Sequence, residues 1–156
     1  MGMTFLGLSK CVLCGRVLQE GEDLHGFPAF VSNESDPLYR YSDAGLHTAC
    51  LEADPLGMAA TRFIEEEWSR KTGPGRRQCV VCGIEPASYD EYEGWGYLTS
   101  APEPLSKFNF THLHKSCVPR WEARSEFVGL AKAMIASGRW KGDWLARVVS
   151  AVEKLA

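Results

Sequence analysis

The sequence predicts an α+β fold made of two small modules in tandem, and three observations carry that expectation. A C-x2-C pair opens each half, at Cys11 and Cys14 and again at Cys79 and Cys82. A histidine and a cysteine three apart end the long spacer of each half, at His47 and Cys50 and at His114 and Cys117. Apolar residues at helical spacing follow each of those pairs, after short aromatic-rich segments. The chain has 156 residues, room for one ordinary domain or two small ones. The boundaries read from the pattern are residues 1–73 for the first module, 74–78 for a linker and 79–156 for the second.

The ligand-type residues come first because their spacing decides their chemistry. Cys14 to His47 is 33 positions and Cys82 to His114 is 32, and none of the six cysteines is left over. Two sulfurs three residues apart face one ion from a tight turn, and Gly15 and Gly83 permit the backbone of such a knuckle. An imidazole and a thiolate three apart share one face of a helical turn. The sets Cys11, Cys14, His47, Cys50 and Cys79, Cys82, His114, Cys117 each supply four N/S donors, which suits tetrahedral zinc, one ion per module and two in all. Four protein ligands close a site, and closed sites are structural. A disulfide framework gives no reason for a histidine at the same place in both halves.

Each module then reads in the same order. The knuckle is followed by extended pieces at residues 27–31 and 38–41 in the first module and 94–98 and 107–110 in the second, expected to pair as β-hairpins. Asp54-Pro55 reads as a cap with proline at the first helical position. Leu56, Ala59, Ala60, Phe63, Ile64 and Trp68 form that helix's apolar stripe, and Gly73 stops it. In the second module Pro119 is given the entry role, Phe127, Leu130, Ala131, Met134 and Ile135 form the stripe, and Gly138 stops it. A further helix, 143–155, has Asp143 as its cap and Trp144, Leu145, Val148, Val149, Val152 and Leu155 on its apolar face, which is expected to complete the core. With Cys50 laid on Cys117, Asp36-Pro37-Leu38 falls on Glu103-Pro104-Leu105 and Phe30-Val31 on Tyr97-Leu98, with one residue missing in the second spacer.

Knuckle, hairpin and a ligand pair leading into a helix resembles the treble-clef group of zinc fingers. The order C-x2-C…H-x2-C is similar to the first half of a LIM domain. The resemblance implies a small metal-stapled fold and leaves activity open, because this scaffold hosts many functions. The chain departs from LIM and RING patterns in its long spacer and in having no second, interleaved ligand set after Cys50 or Cys117.

Function is read mainly by exclusion. There is no H-x-E before a P-C-x-x-C as in zinc deaminases and no H-E-x-x-H as in zincins. An HNH-type nuclease would have to use His112 with Asn109, whereas His112 reads as a surface or outer-shell histidine and His25 as a loop residue. Formal charge is −3, and two Cys3His sites holding divalent ions take it to about −5. The expectation is a non-enzymatic, cytoplasmic tandem zinc finger that binds a protein with a basic surface, as an adaptor or an immunity- or antitoxin-like protein. The acidic, aromatic segment at residues 90–97 is the candidate contact. The alternative is a nucleic-acid-binding regulator using Arg70, Lys71, Arg76 and Arg77 at the joint. No apolar run approaches the ~18 residues of a membrane span, and the apolar stretch before Cys11 is too short for a secretory signal.

Overall fold

The computed structural model describes residues 4–156; residues 1–3, where the first module and its short apolar stretch are expected to begin, lie outside the described residues. Each knuckle is a tight turn closed by backbone bonds. Cys11 N–H donates to the Arg16 carbonyl (2.8 Å) and Cys79 N–H to that of Ile84 (3.0 Å). Gly15 and Gly83 both sit at φ 75°, a left-handed conformation that costs glycine nothing.

Two short antiparallel hairpins follow. Strand β1 (Leu24–Gly26) pairs with β2 (Gly45–His47), setting Leu24 opposite His47. Strand β3 (Tyr92–Gly94) pairs with β4 (His112–His114), setting Tyr92 opposite His114. Apart from Gly94, the strands therefore lie outside the segments expected from the sequence. The inner piece at 38–41 is a 3-10 turn (Tyr39–Tyr41), and its counterpart is another (Pro104–Phe108). Asp36 Oδ1 accepts from Leu38 N–H (2.9 Å), while Pro104 starts the second turn. At 3-10 spacing Leu38 and Tyr41, like Leu105 and Phe108, stack on one buried side, so the aromatic run is a turn's inward face. Residues 30–31 and 98–99 bond to side chains in place of a ladder. Ser42 Oγ accepts from Phe30 and Val31 N–H and donates to the Val31 carbonyl. Asn109 does the same for Leu98 and Thr99. These bonds set Phe30-Val31 on Leu98-Thr99, one residue from the sequence-based superposition, and place the missing residue between Val31 and Asp36. The backbone repeats even at its unusual points, with Asp43 at φ 59° and its equivalent Phe110 at φ 57°.

His47 ends β2 and leads directly into α1 (Thr48–Ala53), which carries Cys50. Asp54 then caps α2 (Pro55–Phe63), accepting from Leu56 N–H (2.9 Å) and Gly57 N–H, with Pro55 at the first position as expected. The helix passes through a π turn (Ile64–Trp68) into α3 (Ser69–Lys71) and ends before Gly73, at φ 99°. In the second module Pro119 does not open the long helix. It lies inside a 3-10 turn (Lys115–Arg120) that also holds Cys117, and α4 (Arg124–Ala136) starts beyond Trp121. Trp121 is buried against Trp95, Phe108 and Phe127 and takes an extended ψ of 105°, which interrupts the helix. Helix α5 (Trp144–Lys154) follows, with Leu145, Val148, Val149 and Val152 buried against the second core. Asp143 does not cap it with its side chain; its carboxylate pairs instead with Arg147 (3.1 Å).

The second core centres on Trp95 stacked on Phe127, ring centroids 4.4 Å apart. The first packs Phe27, Phe30, Tyr41 and Leu46 together with two residues of the second module, Tyr97 and Phe110. Phe63 joins them, 4.1 Å from the Tyr97 ring and stacked on Phe110. Polar bonds line the same seam. Asp36 accepts from Ser100 N–H and Oγ (2.9 and 3.0 Å), and Asn33 holds the Arg139 carbonyl and Lys141 N–H (both 3.1 Å). Val31 and Tyr97 form a parallel bridge. Residues 74–78 form neither helix nor strand. Among the described residues no helix is long and apolar enough to cross a membrane.

Candidate metal centres

The eight residues singled out by spacing come together in two groups, Cys11, Cys14, His47, Cys50 and Cys79, Cys82, His114, Cys117. Within each group the donor atoms all lie within 4.8 Å of one another. The knuckle brings two sulfurs to one side. The last strand residue delivers the imidazole, and one helical turn delivers the third sulfur. His47 Nδ1 is 3.4 Å from Cys14 Sγ and 3.8 Å from Cys50 Sγ, and His114 Nδ1 is 3.3 Å from Cys82 Sγ. A tetrahedral ion with zinc–ligand bond lengths spaces its donors by ~3.6 Å, so both groups suit one. All six cysteines are free thiols.

The protein's own groups set the thiols apart. The Arg16 backbone N–H is the main cause that brings the Cys14 thiol down to about 7. Desolvation, then the neighbouring Cys14 and Cys11, pushes Cys50 up to about 11. Burial works to raise Cys79, but the N–H groups of Cys82, His114 and Val81 outweigh it and bring that thiol to about 6. Cys117 is raised, by desolvation and by Cys79 and Cys82 beside it. A knuckle thiolate thus opposes ionisation of the last cysteine. A divalent cation reverses that by neutralising the set, so metal uptake releases protons.

One participant was not legible in the sequence. Glu22 Oε2 lies 3.1 Å from His47 Nε2 and accepts from Gln19 N–H (2.8 Å). The Gln19 amide, and His47 after it, hold the Glu22 carboxyl below its ordinary range. A glutamate in Gln19-Glu20-Gly21-Glu22 carries no motif; the pairing of β1 with β2 brings Glu22 to the histidine.

The other candidates fall elsewhere. His112 is buried, not on the surface. Its Nε2 donates to the Lys71 carbonyl (3.0 Å) and its Nδ1 accepts from Tyr92 OH (2.9 Å), so it ties the end of α3 to the second module. Burial lowers its pKa, in keeping with that neutral form. Asn109 is committed to the backbone of residues 98–99. His25 lies in β1, edge-on to Phe27 at 4.7 Å, and not in a loop. In the acidic segment Trp95 and Tyr97 turn inward. At the joint Lys71 pairs with Glu67 (2.7 Å), Arg76 bonds the Ser69 carbonyl, and Arg77 lies over the Tyr89 ring.

Fold and donors together define a chain with two similar small modules, each with a Cys3His group close enough to hold a metal ion. Comparison with protein-family models, with curated proteins and with solved structures gives no match.

Proposed function

We propose that the chain is a non-enzymatic tandem zinc finger of the treble-clef kind, in which two structural zinc ions hold a rigid surface for another protein. The observation that carries this reading is the pair of closed donor sets. Three sulfurs and a nitrogen match zinc's preference, and four protein donors leave no position for a reacting water. His112 and Asn109, the residues a nuclease would need, are spent on backbone and tyrosine hydrogen bonds.

The acidic net charge favours a basic partner surface. With Trp95 and Tyr97 buried, the contact moves to the second knuckle. Val80, Ile84 and Tyr89 are exposed there, beside a cleft of about 260 Å³ lined by Pro74, Arg77, Pro86 and Tyr92. Aromatic and aliphatic side chains standing clear of a rigid turn make suitable interface anchors. The test has two arms. Elemental analysis is expected to give two zinc ions per chain, and fewer than one per module overturns the reading. Capture of a protein from native extract by metal-loaded chain is expected to be lost with Ile84→Ser and Tyr89→Ala combined. Salt-sensitive retention on nucleic acid that falls with Arg76→Ala would favour the regulator reading instead.

A further inference from the structure

We propose that Glu22 is the outer carboxylate of the first metal site, and that it makes this site hold zinc more tightly than the second. The inference rests on the tandem-zinc reading above. It starts from a difference between two otherwise equivalent sites.

In the first, Nδ1 of His47 faces the sulfurs and Nε2 faces Glu22 at 3.1 Å. The same carboxylate oxygen is pinned by Gln19 N–H at 2.8 Å, and the His47 side chain is 7% exposed. An imidazole that ligates through Nδ1 carries its hydrogen on Nε2. A carboxylate accepting that hydrogen fixes the ring's tautomer and orientation and makes the ligating nitrogen a stronger donor. In the second site Nδ1 of His114 faces Cys82 in the same way, but among the described residues no carboxylate bonds its Nε2.

Strand register shows why. Leu24 lies opposite His47 and Tyr92 opposite His114. Thr48 N–H bonds the Asp23 carbonyl (3.0 Å), and Lys115 N–H bonds that of Glu91 (2.7 Å). The residue equivalent to Glu22 is therefore Asp90, which has the right charge, is one methylene shorter, and is exposed to solvent. The sulfurs have other partners in both sites: Arg16 lies against Cys14 in the first, while in the second Arg120 bonds Cys117 (3.3 Å) and the His114 N–H bonds Cys79 (3.4 Å). Among the described residues the carboxylate on the histidine belongs to the first site alone, and losing such a partner weakens metal binding by about 10–100-fold.

The test titrates the zinc-loaded full chain with a chromophoric chelator while freed thiols are alkylated and located by peptide mass. Zinc should leave in two phases about 10–100-fold apart in affinity, with Cys79, Cys82 and Cys117 labelled first. Glu22→Gln should lower the first site by that factor and merge the phases, and Asp90→Glu should raise the second. Simultaneous labelling of both sets in the unaltered chain, or a first site unmoved by Glu22→Gln, overturns the ranking and leaves the zinc reading intact. A chain that takes up fewer than two zinc ions fails the reading beneath it, which the loading stoichiometry shows before chelator is added.

Discussion

The first and second modules share a backbone down to the left-handed residues 43 and 110, yet they are completed in different ways. The second builds its own core, in which α4 and α5 enclose Trp95 and Phe127. The first borrows Tyr97 and Phe110 from its neighbour, and the end of its helix is bonded by His112 from the other module. The repeat thus secures the geometry around the ligands, while positions at which its two copies differ, together with the added α5, decide which module can stand alone. Modules near 75 residues have marginal cores, so the shared seam and the zinc staple proposed above answer one shortage of buried surface.

The largest test of that comparison is removal of the proposed zinc. Chelation should abolish the native near-UV circular dichroism of both modules, since structural zinc is folding free energy; retention of a cooperative thermal transition without metal would show that the cores suffice. Leu145→Ala, at a fully buried position of α5, should cost about 2–5 kcal/mol in denaturant unfolding. It should loosen the second module, and the first along with it. Phe63→Ala acts on the seam, because Phe63 packs against the Tyr97 ring and stacks on Phe110. It should cost roughly 2–3 kcal/mol, less than a fully buried phenylalanine, with hydrogen exchange rising in the first module before the second. Equal rises would erase the asymmetry. The smallest effect is at Asp54, whose carboxyl is held below its ordinary value chiefly by the Tyr41 hydroxyl and by the Leu56 and Gly57 amides. Its contribution is present above the unfolded carboxyl's pKa of ~3.9 and disappears as pH falls through the lower folded value. Asp54→Ala should lower Tm by roughly 3–6 °C at neutral pH and flatten the acid limb of a Tm–pH curve.

The donor sets were legible because ligand spacing is a local covalent fact: C-x2-C, a glycine, and H-x2-C fix which atoms can meet. The Asp54-Pro55 cap and the stops at Gly73 and Gly138 were legible for the same reason, each being one residue's backbone preference. The hairpins were not. Strands of three residues are too short to show alternation, and the aromatic runs beside them serve turns whose burial looks the same in sequence. The start of α4 was misplaced because Trp121 breaks the helix through packing, which no local propensity records. Glu22 and the roles of Asn33 and Asp36 depend on partners 25 to 108 positions away, so nothing near them in the chain could announce them.

The borrowing of Phe110 also sets an order in time. Phe63 is made 47 residues before the Phe110 it stacks on, an interval of about 2–10 s at ordinary rates of synthesis. Throughout it, Cys11, Cys14, His47 and Cys50 already exist as a complete donor set, whereas the core they belong to lacks first two and then one of its rings. On the proposed zinc reading, the nascent first module has for those seconds a metal to hold it before it has a neighbour, and the site proposed as the tighter belongs to the half that must wait.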